Sequence, residues 1–148
     1  MNTQHEVLLT KRFEFSASHR YYREEWSEAE NLRVFGPNAW PHGHGHNYVL
    51  EVTLRGAPDP KTGMVMDLVK VKEAVLEVLK EFDHKNLNLD TPYFTDLIPT
   101  TENIARVLWA LIQRRLPKAL RRGSGQARLA AVRVYEDERL YVDYHGGE

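Results

Sequence analysis

Alternating apolar and polar residues predict β-strands in two parts of the chain. From Val7 to Ser18 the odd positions are mostly apolar and the even positions mostly polar, which gives a strand with two distinct faces. A second strand with this period runs from Asn47 to Arg55. Farther along, strands from Ala127 to Glu136 and from Leu140 to Tyr144 flank a tight hairpin turn.

Between these two pairs of strands, apolar residues recur every three or four positions and predict two helices. The first extends from Leu68 to Phe82, and Asp67 is placed to cap its N-terminus. The second extends from Thr101 to Leu116, with Thr100 or Thr101 as its cap.

The segment from Arg20 to Trp40 has no clean period and predicts a long excursion with a short helix around Trp26 to Leu32. The order strand, strand, helix, helix, strand, strand predicts an α+β fold with a four-stranded antiparallel sheet and two helices on one face. The other face, carrying Phe13, Phe15 and His19 or their alternates, has nothing left in the chain to cover it. That face and the two sheet edges predict a homo-oligomer.

Composition limits the class of protein. Residues 1–148 are enough for a single domain, and 42% hydrophobic with 28% charged residues is the balance of a soluble globular protein. A net charge of −1 argues against a nucleic-acid binder, and the absence of cysteine excludes disulfides, thiolate metal sites and a cysteine nucleophile. No apolar run approaches the roughly 20 residues of a membrane span. We therefore expect a cytoplasmic protein.

Three of the seven histidines have the spacing of metal ligands. His44 and His46 are two apart at the start of a strand and project from one face, and His19 ends the strand expected to pair with it. Three imidazoles leave a fourth position open, which is typical of catalytic zinc, although iron, nickel or cobalt also fit these ligands. The alternative is an ordinary histidine-rich loop.

Two further positions offer proton-transfer or binding chemistry. Asp83 precedes His84 and can orient its imidazole, or His84 is simply a cation at the end of a helix. Glu136 ends an apolar strand, where its two oxygens can accept paired N–H donors from a heterocycle. The alternative for Glu136 is a charge at a hairpin.

Taken together, these segments resemble the 6-pyruvoyl-tetrahydropterin synthase family, which includes 6-carboxytetrahydropterin synthase of queuosine biosynthesis. The similarity covers nearly the whole chain in the family's order. The segments that carry it are Phe15–His19, Phe35–Gly36, Gly43–Tyr48, Gly63–Leu68, Asp83–Asn88, Pro99–Asn103 and Val134–Glu136.

The resemblance implies a tunnelling fold whose trimers stack into hexamers, with active sites between subunits. It implies conversion of 7,8-dihydroneopterin triphosphate to a 6-pyruvoyl- or 6-carboxy-tetrahydropterin, with release of triphosphate, in tetrahydrobiopterin, queuosine or folate metabolism. It implies zinc ligands at His19, His44 and His46, a proton relay through Asp83 and His84, and a pterin anchor at Glu136. The segment that would line the pterin pocket is Thr100, Thr101 and Glu102.

One family feature is missing from this chain. The cysteine that serves as the family's general base corresponds to Asn38, or to Trp40 in the bacterial spacing, and neither side chain takes a proton near neutral pH. We hypothesise that His42 supplies the base. The alternatives are an aldolase-like relative that yields 6-hydroxymethyl-dihydropterin, and a protein that binds pterin and zinc without turnover.

Overall fold

A computed structural model describes residues 5–116 and 127–147. These residues form five strands, three α-helices and one short 3₁₀ helix. In chain order they are β1 (Val7–His19), α1 (Glu28–Phe35), the 3₁₀ helix (Gly36–Ala39), β2 (His44–Gly56), α2 (Leu68–Leu79), β3 (Lys85–Asn86), α3 (Thr101–Arg115), β4 (Arg128–Asp137) and β5 (Leu140–Tyr144).

The strands form one sheet in the order β3-β1-β2-β4-β5. The α+β class is confirmed, but the described sheet has five strands rather than four, and β3 runs parallel to β1. After α2 the chain returns beside β1, where His84 N–H donates to the Ser16 carbonyl and Leu87 N–H to the Ser18 carbonyl. A strand of two residues is too short to show a period in the sequence.

The core lies between the sheet and one layer of helices. Phe15 stacks on Tyr48 with ring centroids 4.9 Å apart, and both side chains are buried. Helices α2 and α3 cover this face with apolar side chains one or two turns apart. They include Val71, Val75 and Val78 of α2 and Ile104, Leu108 and Ile112 of α3.

The uncovered face of the sheet is largely polar and carries the second of the two sets of residues that the pattern allowed. Phe13 and Phe15 point toward the helices and are buried, so their alternates form the open face. On that face Thr10 bonds Thr53 and the Arg133 guanidinium pairs with Asp143 at 2.7 Å. Burial of an apolar face therefore gives no reason for association, and the homo-oligomer remains a prediction.

In the segment after β1, helix α1 begins at Glu28, two residues later than the pattern indicated. Ser27 sets the start of α1 because its hydroxyl accepts the Glu30 N–H at 3.0 Å. The buried Asn31 closes the loop by bonding the N–H and carbonyl of Arg23. None of the helices in the described ranges is long and apolar enough to cross a bilayer.

Candidate metal and substrate site

Antiparallel pairing of β1 with β2 brings three imidazoles together at one end of the sheet. His19 lies opposite His44, and Ala17 lies opposite His46, so all three imidazoles project from the covered face. One ligand nitrogen from each lies within 4.8 Å of the others, and His19 Nε2 is 3.1 Å from His44 Nε2. The convergence predicted from the sequence is present.

His19 is held in the tautomer that binds metals. Its Nδ1–H donates to the Pro99 carbonyl at 2.7 Å, which leaves the lone pair of Nε2 directed at the cluster. Burial is the main cause that lowers the pKa of His19 to about 4, and nearby His44 lowers it further. The imidazole is therefore neutral near pH 7.

The cluster also contains a nitrogen without a hydrogen-bond partner among the described residues. His46 Nε2 is buried and makes no hydrogen bond to the described residues, and burial lowers the pKa of His46. A buried nitrogen of this kind costs free energy unless a ligand satisfies it. A metal ion bound by the three histidines would do so, and three imidazole nitrogens suit zinc.

Glu136 extends toward the same cluster from the end of β4. It continues the inward face of Val132 and Val134, at a point where the β4–β5 register shifts. Its Oε1 lies 3.4 Å from His46 Nε2 and 3.8 Å from His19 Nε2. The side chain is 15% exposed, so its carboxylate is available to a ligand entering the cluster.

The N-terminus of α3 borders the site. Thr100 caps the helix, because its hydroxyl accepts the Asn103 N–H at 3.2 Å, and it follows the Pro99 carbonyl that holds His19. Thr101 Oγ1 is buried without a hydrogen bond to the described residues, whereas Glu102 is exposed. The residue here that contacts the cluster is therefore Pro99, which precedes the predicted segment of Thr100, Thr101 and Glu102.

Two tyrosines at the cluster were not predicted. The hydroxyl of Tyr48 lies 3.3 Å from His19 Nδ1, and burial raises the pKa of Tyr48 well above its usual range. The Tyr21 ring packs edge-on against His19, with centroids 5.2 Å apart. Burial, then the charges of Glu136 and Glu102, raise the pKa of Tyr21 to about 12. Tyr48 continues the inward phase of β2, which could have identified it, whereas Tyr21 lies two residues past the end of β1.

Asp83 and His84 form a pair elsewhere on the sheet. Asp83 Oδ1 accepts the Ser16 N–H at 2.8 Å and lies 3.0 Å from His84 Nδ1; the Ser16 bond is the main cause that lowers the pKa of Asp83. The His84 side chain is 82% exposed and borders a cavity of about 560 Å³ that Ser16 and Asn47 also line. That cavity opens on the polar face and is also lined by His46, but the His84 imidazole is not among the nitrogens that converge in the described cluster.

The residues considered for the missing base lie at the surface. Asn38 is exposed in the 3₁₀ helix, and its carbonyl accepts the Tyr21 N–H at 2.7 Å. His42 is exposed in the turn before β2, and its imidazole is not one of the nitrogens that converge in the described cluster.

Comparison with known proteins agrees with this architecture. The family model described as 6-pyruvoyl tetrahydropterin synthase matches residues 8–147. The human 6-pyruvoyl tetrahydrobiopterin synthase is 44% identical over 142 residues, covering 95% of this chain and 92% of that protein. The structure of the Caenorhabditis elegans 6-pyruvoyl tetrahydropterin synthase superposes with a TM-score of 0.87 at 35% identity, covering 96% of each chain. A dihydroneopterin monophosphate aldolase of Pyrococcus furiosus is 34% identical, covering 89% of this chain and 91% of that protein.

Proposed function

Because the chain belongs to the 6-pyruvoyl tetrahydropterin synthase family, we propose that it is a lyase of pterin metabolism. The proposed reaction converts 7,8-dihydroneopterin triphosphate to 6-pyruvoyl-tetrahydropterin with release of triphosphate. In its 6-carboxy counterpart only one carbon of the side chain remains, so the other two leave as acetaldehyde in addition to triphosphate. The observation that carries the proposal is the convergence of His19, His44 and His46 beside the Glu136 carboxylate.

The metal we propose for this cluster is zinc. His19, His44 and His46 would hold it, since all three offer nitrogens and burial keeps His19 neutral. When bound, zinc supplies Lewis acidity that lowers the pKa of hydroxyl groups on the substrate's side chain. The chain's own residues then have to hold the ring and move the protons.

The proposed role of Glu136 is to bind the pterin ring. A carboxylate accepts two parallel N–H donors, which the amino group and adjacent ring nitrogen of a pterin provide. The position of Glu136 beside His46 would set the ring next to the cluster, with the side chain of the substrate directed at the metal.

For proton transfer we propose the Asp83–His84 pair, with His42 as the candidate base. In one chain the pair lies on the face of the sheet opposite the histidine cluster. We therefore propose a homo-oligomer, either a trimer or a hexamer made of two trimers, in which a second copy brings its His84 to the cluster.

A product assay tests the proposed function. Zinc-loaded protein is incubated with 7,8-dihydroneopterin triphosphate, triphosphate release is followed, and the pterin product is identified by its mass. A 6-pyruvoyl or 6-carboxy product is expected. The matched control is Glu136→Gln, which should keep its zinc and lose most pterin affinity, because a neutral amide cannot accept both N–H donors.

The similarity to the Pyrococcus furiosus aldolase supports a second candidate function. In that case the side chain of the substrate is cleaved, and the product is 6-hydroxymethyl-dihydropterin without coupled triphosphate elimination. The mass of the product separates the two reactions. Binding of zinc and substrate with no product would instead indicate a pterin-binding protein without turnover.

A further inference from the structure

We propose that Tyr21 contacts the substrate directly, its neutral hydroxyl donating a hydrogen bond to an oxygen of the pterin's side chain. This inference rests on the proposed pterin function and assigns a determinant of substrate specificity within that site. It comes from the packing of Tyr21 on the histidine cluster and from the scarcity of hydrogen-bond donors there.

The position of Tyr21 places it beside the reacting end of the site. Its ring contacts the His19 imidazole edge-on at 5.2 Å, and Phe35 packs against its other side at 6.0 Å. The ring is therefore partly buried between these two side chains, at the edge of the cluster.

The described groups around the cluster are mostly hydrogen-bond acceptors. Glu136 and Glu102 offer carboxylate oxygens, and the imidazole nitrogens of the cluster are assigned to the metal. Tyr48 and Thr101 have hydroxyls, but both are buried, that of Tyr48 against the His19 ring. No hydrogen bond to the described residues engages the Tyr21 hydroxyl. A substrate side chain rich in oxygen needs a donor, and Tyr21 offers one.

The backbone around Tyr21 is fixed, so the hydroxyl is held in place before a ligand arrives. On one side, the Asn88 amide clamps residue 20 by accepting the Arg20 N–H at 2.9 Å and donating to its carbonyl at 3.0 Å. On the other, the Tyr21 N–H donates to the Asn38 carbonyl at 2.7 Å. A preorganised donor contributes more to binding than one that must be ordered by the ligand.

The neighbouring tyrosine provides a matched control. Tyr22 lies under the Arg20 guanidinium, 3.9 Å from the ring centroid, and borders a surface groove with Trp26 and Trp40. Tyr22→Phe removes the same hydroxyl from the next residue and keeps the aromatic ring. It should leave the histidine cluster and its ligand unaffected.

The test compares two ligands that differ only in their side chains. Zinc-loaded wild type, Tyr21→Phe and Tyr22→Phe are titrated with 7,8-dihydroneopterin and with 6-methyl-7,8-dihydropterin, which lacks side-chain oxygens. Tyr21→Phe is expected to raise the Kd for 7,8-dihydroneopterin by roughly two- to tenfold, the range for one lost hydrogen bond. Its Kd for the methyl compound and both values for Tyr22→Phe should not change.

Other outcomes distinguish failure of this inference from failure of the proposed function. If wild type binds 7,8-dihydroneopterin and Tyr21→Phe binds it equally well, the hydroxyl does not contact the substrate. Equal weakening for both ligands, or loss of zinc or of thermal stability in Tyr21→Phe, would assign Tyr21 a structural role and overturn the inference. If zinc-loaded wild type binds neither pterin, the proposed function itself fails, and this inference fails with it.

Discussion

At the scale of single residues, position in the sheet decides what each histidine can do. His19 is fully buried, bonded to a carbonyl and neutral, whereas His84 is 82% exposed and pairs with a carboxylate. The first environment suits a metal ligand and the second suits proton exchange with solvent or substrate. His42 is exposed as well. Its proposed role as the base can therefore be tested by mutation.

If His42 is the base, His42→Ala should lower kcat by roughly 100-fold or more, the usual contribution of general base catalysis. Zinc content and pterin affinity should not change, because the imidazole lies outside the described cluster. The matched control is His145→Ala, which removes another exposed imidazole. Steady-state kinetics of both variants checks this, and equal turnover in the two would exclude His42 as the base.

A site residue could be predicted from the sequence where the pattern that indicates it lies within a single strand. The spacing of His44 and His46, and the inward phase of Glu136, are properties of single strands and can be read directly. The bond from His19 to the Pro99 carbonyl joins residues 80 positions apart, and nothing in the sequence indicates it. Tyr21 lies past the end of β1, where a strand pattern is normally no longer followed.

At the scale of elements, the N-terminus of α3 serves the metal site. Thr100 caps the helix and adjoins the carbonyl that orients His19. Thr100→Ala should lower the free energy of unfolding by about 1 kcal/mol. It should also weaken zinc binding by roughly tenfold, as the loss of support for a metal ligand does.

The control for this prediction is the cap of α2. Asp67 accepts the Val69 N–H at 2.9 Å and caps α2, away from the cluster. Asp67→Ala should cost a similar amount of stability and leave zinc affinity unchanged. Thermal denaturation and competitive zinc titration measure both quantities. Equal zinc affinity in the two variants would show that the α3 cap does not support the site.

Asp83, in the loop after α2, should make the stability of the fold depend on pH. The Ser16 N–H, and then His84, lower the pKa of Asp83, so the carboxylate stabilises the fold above its unfolded pKa. That contribution is lost as the pH falls through the lower folded pKa. Wild type should therefore exceed Asp83→Asn in Tm at pH 7, and the gap should narrow below about pH 4. A difference in Tm between wild type and Asp83→Asn that is the same at pH 3 as at pH 7 would contradict this contribution of Asp83.

The sequence either misses or misplaces the elements that have no hydrophobic period. Long amphipathic segments give α2, α3 and the four long strands to within a few residues. Strand β3 forms only because tertiary contacts return residues 84–87 to the edge of β1. The start of α1 depends on a single cap at Ser27, which the mixed pattern around it obscures.

At the scale of the whole molecule, the two halves of the proposed machinery lie on opposite faces of one sheet. The histidine cluster and Glu136 lie on the covered face, and Asp83 and His84 border a cavity on the polar face. The described contacts of a single chain therefore do not join the two halves of the proposed site. The open face of the sheet carries hydroxyls and ion pairs, so this face offers no large apolar surface for association.

Subunit complementation tests this arrangement. His46→Ala and His84→Ala should each be inactive alone, but mixed oligomers of the two should regain activity. In such mixtures some sites combine an intact cluster from one copy with an intact His84 from its neighbour. A mixture of His44→Ala and His46→Ala is the control, because both changes damage the same cluster and no pairing restores it. Activity after co-refolding, with light scattering to measure oligomer mass, gives the answer. If the first mixture stays as inactive as the control, the cluster and His84 do not meet between subunits, and a catalytic role for His84 becomes untenable.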